Sequence, residues 1–127
     1  MNIVDSSGWL EYLSAGSNAA FFSAAIESTK ELIVPTISIY EVFKRVVQQR
    51  SENEALQVVG QMQQGQVADL DPSIAIRAAR LSIQHGMPMA DSVILATARN
   101  YKAILWTQDA HFEGLTDVRY VKAPSAK

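Results

Sequence analysis

The chain has 127 residues, a length typical of one domain, and its 13 acidic and 11 basic side chains give a formal net charge of -2. A hydrophobic fraction of 48% and a charged fraction of 19% are typical of globular proteins and exclude intrinsic disorder. The lack of cysteine excludes disulfide frameworks and cysteine-ligated metal sites, and the charge argues against a general nucleic-acid coat protein.

The first part of the chain alternates short apolar runs with helical patterns. Ile3-Val4 predicts a buried strand, and the next pattern predicts a helix capped by Ser7 and stopped by Gly16. A second helix is predicted to begin after Asn18. Leu32-Ile33-Val34 then predicts the second strand.

The middle of the chain continues this alternation. A third helix opens at Thr36 or Ser38, and a fourth spans residues 52–62 and is ended by Gly65. Val67-Ala68-Asp69-Leu70 is a weaker strand candidate. Asp71-Pro72 predicts the cap and first residue of a fifth helix.

The fifth helix is predicted to end at His85-Gly86 and to bury one stripe, made of Ile74, Ala75, Ala78, Ala79 and Leu81 to Ile83. A sixth helix from Met89 to Tyr101 is apolar almost all round, which predicts a central position. Strands are predicted at Ala103-Ile104-Leu105-Trp106 and, from a weaker pattern, at Val118-Arg119-Tyr120-Val121.

Strands separated by helices favour parallel pairing through right-handed crossovers, with helices on both faces of the sheet. The pattern therefore predicts an α/β/α sandwich. Residues 1–127 contain no linker, internal repeat or low-complexity tract, so we expect a single domain.

Four acidic residues follow predicted strands or lie near the start of helices. Asp5 and Asp109 come after the first strand and after the strand that ends near Thr107, whereas Glu41 and Asp91 lie in the third and sixth helices. Sites in parallel sheets form at the carboxyl ends of the strands, so these four carboxylates can converge on one edge.

Each acid also has a local interpretation. Asp5 can cap the first helix, and Asp91 can stabilise the positive end of the sixth. Glu41 can pair with Lys44 and Arg45 on the same helix. These two cations are equally able to bind phosphates at the rim of a site. Asp109 can cap a loop. Local roles explain the acids one at a time but not their common position.

Converging carboxylates favour a metal site. Two carboxylates about 4 Å apart repel by roughly 4 kcal/mol at an effective dielectric constant near 20, so a cluster needs a cation or raised pKa values. Oxygen ligands select Mg²⁺ or Mn²⁺, and the spacing of the histidines offers no softer site. Metal-assisted hydrolysis of a phosphodiester is the reaction that such a site performs.

Four motifs together identify a family resemblance. The chain resembles PIN-domain ribonucleases, and most closely the VapC-like toxin subunit of VapBC type II toxin–antitoxin modules. The resemblance rests on residues 3–9 (Ile-Val-Asp-Ser-Ser-Gly-Trp), 38–42 (Ser-Ile-Tyr-Glu-Val), 90–98 (Ala-Asp-Ser through Ala-Thr-Ala) and 107–112 (Thr-Gln-Asp-Ala-His-Phe).

The resemblance implies a PIN-like three-layer α/β/α sandwich with a five-stranded parallel sheet. It also implies a metal-dependent endoribonuclease whose acidic quartet, Asp5, Glu41, Asp91 and Asp109, holds Mg²⁺ or Mn²⁺. The partners it implies are RNA, a cognate antitoxin and a second copy in a homodimer, with DNA contacted only through the antitoxin.

Three further residues have open roles. Ser6 and Thr107 are expected to hydrogen-bond the carboxylates or a metal-bound water, or else to cap nearby backbone. His111 departs from the family pattern, because many relatives carry another acid there. It is interpreted either as an RNA contact or as an exposed loop residue.

Two other functions fit the same pattern. A phosphoacceptor receiver domain has acids at strand ends and binds Mg²⁺, but it needs paired acids after the first strand, where this chain has Asp5-Ser6-Ser7. A PIN-like domain that binds without catalysis is the other alternative. The start of the chain lacks a basic signal region, and no segment of about 18 apolar residues is present, so we expect a cytoplasmic protein that does not enter the membrane.

Overall fold

Five parallel strands form a single sheet in the order β3-β2-β1-β4-β5 in the computed structural model, which describes residues 1–125. The strands are β1 (Asn2–Val4), β2 (Leu32–Pro35), β3 (Gln66–Ala68), β4 (Ile104–Thr107) and β5 (Val118–Tyr120). All five predicted strands are therefore confirmed. The two weaker candidates are shorter than predicted, because β3 ends at Ala68 and β5 at Tyr120.

Six α-helices connect these strands and cover both faces of the sheet. They are α1 (Ser6–Leu13), α2 (Ala19–Ile26), α3 (Thr36–Gln49), α4 (Glu52–Met62), α5 (Pro72–His85) and α6 (Met89–Asn100). Two short 3₁₀ turns that the sequence did not predict lie at Thr29–Glu31 and Ala110–Phe112. The predicted three-layer α/β/α sandwich is confirmed.

The helix ends differ from prediction in detail. The cap of α1 is Asp5 and not Ser7, because the Asp5 carboxylate accepts a hydrogen bond from the Gly8 amide. Asn18 precedes α2 but does not cap it with its side chain. The left-handed Gly86 ends α5 as predicted, with a φ of 67°.

Alternate strand residues supply two hydrophobic cores, as the two-residue period of a strand requires. Val4 and Val34 face α1, α2, α3 and α4, and their core includes the fully buried Trp9 and Phe22. Ile3, Ile33 and Leu105 face the opposite side and pack with α6 and Phe112. Trp9 and Phe22 are thus core residues.

Helix α5 buries a narrower stripe than its sequence predicts. Ile74 and Ala78 are buried, but Ala75 and Ala79 are exposed and Ile83 is 86% exposed. The reason is that α5 packs on α6 and lies outside it, so only its inner edge is covered. Helix α6 is central as predicted, because residues 92–98 are all buried.

Gly8 allows α1 to lie close to its neighbours. A Cβ atom there would lie 2.6 Å from both Phe22 Cε1 and Val4 Cγ1, inside van der Waals contact. We expect Gly8→Ala to lower the free energy of unfolding by about 1–3 kcal/mol, since overpacking outweighs the gain in helix propensity. Urea titration measures this change.

Gly60→Ala is the matched control for Gly8→Ala. Gly60 also lies inside a helix, α4, but a Cβ there would meet nothing within 4 Å. We expect this substitution to stabilise the protein by about 0.5–1 kcal/mol through helix propensity alone. Equal effects at the two glycines would contradict the close packing of α1.

The strand order decides one alternative and locates the site. Receiver domains have the strand order 2-1-3-4-5, which this sheet does not have, so the receiver hypothesis is wrong. The order reverses between β1 and β4, and ligands of open parallel sheets bind beside such a switch point.

Among residues 1–125, no helix combines the length and the apolar character that a membrane crossing requires.

Candidate active site

Asp5 lies at the carboxyl end of β1, beside β4. Val4 pairs with Trp106 in the parallel register, so the next residues along each strand, Asp5 and Thr107, are neighbours. The Thr107 hydroxyl donates to Asp5 Oδ2 at 2.7 Å, and the Ser7 hydroxyl and the Gly8 amide donate to Oδ1 at 2.8 and 3.0 Å. Asp5 is therefore both a helix cap and a fixed carboxylate at the switch point.

Burial is the main influence on the pKa of Asp5, because the residue is only 2% exposed. Loss of hydration is the main reason that its pKa is raised to about 7; the charge of Asp109 acts in the same direction, and the hydrogen bonds from Thr107, Gly8 and Ser7 oppose the rise. A carboxylate with three donors and a raised pKa lacks a compensating positive charge.

Glu41 approaches from α3, on the other side of the site. The Ser6 hydroxyl donates to Glu41 Oε1 at 2.5 Å and thereby ties the start of α1 to α3. Within residues 1–125 Glu41 forms no ion pair with Lys44 or Arg45, which was the local alternative for this acid. Lys44 Nζ instead lies 5.7 Å from the centre of the Tyr40 ring.

Asp91 lies in the first turn of α6 with a side chain that is 15% exposed. Burial is the main reason that its pKa is raised to about 6, and the charges of Asp109 and Glu41 act in the same direction. A hydrogen bond from His111 lowers it in part. The negative charges of Asp109 and Glu41 are therefore close enough to Asp91 to raise its pKa.

Asp109 begins the turn after β4. Its amide donates to the Thr107 hydroxyl at 2.9 Å, and its Oδ1 accepts from the His111 amide at 2.9 Å. His111 Nδ1 lies 2.7 Å from Asp91 Oδ2 and 3.1 Å from Asp109 Oδ1. These contacts raise the pKa of His111, and the hydrogen bond to Asp91 is the largest cause.

One open cleft of about 440 Å³ brings the quartet together. All four acids contribute to its lining, together with Ser6 and with the cationic pair Lys44 and Arg45. Thr107 is fully buried beneath the cleft and acts through its bonds to two of the acids. Both hydroxyl residues that the sequence singled out therefore hold carboxylates: Ser6 holds Glu41, and Thr107 holds Asp5.

The donor set fits a divalent cation. Among the described residues, one group offers three ligand atoms within 4.8 Å of one another, and it consists of Asp91, Asp109 and His111. The sequence did not place His111 among the candidate ligands, and the structure adds it to them as a candidate. The signal that could have found His111 is its position two residues after Asp109, because an aspartate-capped turn directs both side chains to one edge.

Comparisons with known proteins agree with this architecture. The profile of the PIN domain family matches residues 3–117. No curated protein sequence matches the chain significantly. Similar solved structures include a toxin–antitoxin complex from Klebsiella pneumoniae, with a TM-score of 0.77 and 20% identity over 94% of this chain and 96% of the other.

Two further structures share the fold. A DNA-bound VapBC complex from Salmonella typhimurium has a TM-score of 0.73 and 16% identity, with coverage of 95% of this chain and 96% of the other. The VapC20 toxin of Mycobacterium tuberculosis, described as cleaving the sarcin–ricin loop, has a TM-score of 0.72 and 12% identity, with coverage of 94% and 99%. At these identities the similarity establishes the fold.

Proposed function

Because the chain belongs to the PIN domain family, we propose that it is a metal-dependent endoribonuclease and the toxin subunit of a VapBC-type toxin–antitoxin module. One observation carries this proposal. Four acids from four separate segments of the chain line a single cleft beside the switch point of the sheet. The structural similarity to toxin–antitoxin complexes supports it.

Each acid has a proposed role. Asp5 and Asp91 hold a Mg²⁺ or Mn²⁺ ion, and Asp109 completes the set of ligands. Glu41, fixed by Ser6, orients the attacking water or holds a second ion. Such an ion, when bound, neutralises charge on the scissile phosphate and lowers the pKa of its water. Hydrogen bonds to Asp5 and Asp109 keep both carboxylates in place for this role.

The rim of the cleft supports an anionic substrate. Lys44 and Arg45 line the same cleft as the acids, and both are exposed. Their charges can hold the RNA backbone while the acids face the bond to be cleaved. The net charge of -2 argues against broad, non-specific binding of nucleic acid, so we propose that RNA is contacted at this local patch and that DNA is reached only through the antitoxin.

A second groove supports a protein partner. It lies between α3 and α4, has a volume of about 510 Å³, and is lined mainly by apolar side chains, among them Phe43 and the 57% exposed Leu56. Tyr40 and Lys44 line both this groove and the acidic cleft. We propose that the cognate antitoxin binds along the groove and covers the cleft.

A homodimer is the remaining proposed assembly. Helix α5 exposes Ile76 by 55% and Ile83 by 86%, and their spacing of seven residues places both on one face. Light scattering of the purified protein tests this proposal, with Ile83→Lys expected to favour the monomer. We also propose that the protein acts in the cytoplasm.

The test of the proposed function is cleavage of purified RNA by the purified protein. We expect cleavage with Mg²⁺ or Mn²⁺ and none with a chelator, and we expect activity to return when excess cation is added. Metal binding without cleavage of total cellular RNA would instead support the non-catalytic alternative. Cleavage that persists in the chelator would contradict the proposed metal site.

Thr107 provides a separate prediction. Thr107→Val keeps the shape of the side chain but removes the hydroxyl that donates to Asp5 and accepts from the Asp109 amide. We expect RNA cleavage to fall by about 10–100-fold, as for other residues that orient metal ligands. Initial rates at saturating cation measure this, and Thr107→Ser, which retains the hydroxyl, is expected to restore most of the rate. Equal rates for the valine and serine variants would show that the hydroxyl has no role.

A further inference from the structure

His111 stands outside the acidic quartet but lies at the spacing of a ligand. Its Nδ1 atom is 2.7 Å from Asp91 Oδ2 and 3.1 Å from Asp109 Oδ1. Neighbouring ligands of one octahedral cation lie about 3 Å apart when the bonds are about 2.1 Å long. The two distances from His111 match this spacing, and ligand atoms of all three residues lie within 4.8 Å of one another, which places them within reach of one ion.

The backbone of the turn that carries His111 is fixed, although the side chain is 57% exposed. The His111 amide donates to Asp109 Oδ1, and the next amide, that of Phe112, donates to the Asp109 carbonyl at 3.1 Å. Phe112 is fully buried and anchors the turn in the core. The turn therefore holds the origin of the His111 side chain at the edge of the acidic cluster, where the ring contacts Asp91 and Asp109.

We propose that His111 binds the metal through Nδ1 beside Asp91 and Asp109, and that it makes the site prefer Mn²⁺ to Mg²⁺. The inference rests on the proposed metal-dependent function and adds to it the identity of the ion. Mg²⁺ takes oxygen ligands and retains its waters, whereas transition metals gain affinity from an imidazole nitrogen. A site of carboxylates alone lacks this source of selectivity.

A different role for His111 makes the opposite prediction. If the ring is only a positively charged partner of Asp91 and Asp109, it competes with the cation for their oxygens. Removal of the ring would then strengthen the binding of both metals. The sign of the change in affinity therefore distinguishes a ligand from a competitor.

The experiment measures binding of Mn²⁺ and Mg²⁺ to the full chain at pH 8, without RNA. Electron paramagnetic resonance of free Mn²⁺ gives the Kd for Mn²⁺. Displacement of bound Mn²⁺ by Mg²⁺ gives the Kd for Mg²⁺. We expect His111→Ala to weaken Mn²⁺ binding by at least about tenfold and Mg²⁺ binding by less than about threefold. We expect His111→Asp to bind Mg²⁺ at least as well as the wild type, with a reduced preference for Mn²⁺.

A direct signature accompanies these affinities. Electron spin echo modulation from ¹⁴N is expected for Mn²⁺ bound to the wild type and is expected to vanish in His111→Ala. His85→Ala is the matched control, because His85 is the only other histidine, and it lies exposed at the end of α5. This control is expected to retain the wild-type affinities and the ¹⁴N modulation.

The outcomes separate this inference from the proposed function. If His111→Ala weakens the binding of Mn²⁺ and Mg²⁺ equally, or if the ¹⁴N modulation survives in that variant, the role of His111 is overturned and the proposed function is not. Tighter binding of both metals would identify the ring as a competitor and also overturn it. If the wild type binds neither ion while its fold is intact, the metal-dependent function fails together with the inference.

Discussion

Asp91→Asn is expected to reduce RNA cleavage by more than about 100-fold and, at the same time, to stabilise the metal-free protein. The substitution removes a proposed metal ligand, and loss of a ligand should exceed the 10–100-fold effect typical of the residues that support ligands. Stability should rise because the neutral amide no longer repels Asp109 and Glu41, whose charges help to raise the pKa of Asp91. Cleavage rates and urea unfolding of the same preparation measure the two effects.

Asp117→Asn is the matched control for this variant. Asp117 is exposed, lies outside the acidic cleft, and adopts a left-handed φ of 59°, which asparagine also tolerates. We expect this control to leave cleavage and stability near their wild-type values. Loss of activity in both variants would mean that any change of an acid impairs the protein. Full activity of Asp91→Asn would remove Asp91 from the proposed site.

The sheet was predictable because its strands are short, apolar and separated by long helical patterns. Ile3-Val4 and Leu32-Ile33-Val34 are buried on both faces, so they form the apolar runs that mark parallel strands. The strand order was not predictable from periodicity, since a β–α–β pattern is shared by several orders. That order decides between a receiver domain and the observed fold.

The burial of α5 shows a limit of a different kind. Ala79 and Ile83 fit an apolar stripe, but both are exposed because α5 makes its main contact with α6 and only the edge that faces this helix is covered. Periodicity gives the direction of an apolar face and not the width of the neighbour that covers it. Exposed apolar residues of this kind are available for contact with another chain.

The candidate site was accessible to sequence analysis where a strand end fixes a residue, and less accessible elsewhere. Asp5 and Thr107 become neighbours through the register of β1 and β4, and the register follows from the fold. The contact of Ser6 with Glu41 depends on how α1 packs against α3. His111 was missed as a candidate ligand because its contacts with Asp91 form across a turn that has no periodic pattern.

The metal-free protein is expected to be more stable at pH 5 than at pH 8, by about 2–4 kcal/mol. The carboxyl of Asp5 has a pKa of 3.8 in the unfolded reference and about 7 in the folded chain. Between these values the folded state holds a proton that the unfolded state has lost, so the free energy of unfolding falls as the pH rises. At about 1.4 kcal/mol for each unit, Asp5 accounts for most of the expected change.

Asp91 and His111 act with the same sign. The pKa of Asp91 is raised to about 6, so the stability that its protonated form adds at low pH is also lost as the pH rises toward that value. The pKa of His111 is raised as well, and its stabilising contribution is present at low pH and lost as the pH passes the folded value. The three raised pKa values of Asp5, Asp91 and His111 therefore give the slope one direction between pH 5 and about pH 7.

Urea unfolding in a chelator at pH 5, 6, 7 and 8 measures this dependence, and two comparisons test its origin. Asp5→Asn keeps an oxygen acceptor for the Gly8 amide but cannot ionise, so its stability should vary much less with pH. Saturating Mn²⁺ should largely cancel the dependence, because a bound cation requires ionised carboxylates, and at 100 times its Kd it adds about 2.7 kcal/mol at high pH. A flat curve in the chelator would contradict the buried, mutually repelling carboxylates from which the proposed metal site is argued. A slope that is unchanged in Asp5→Asn would assign the titration to other groups.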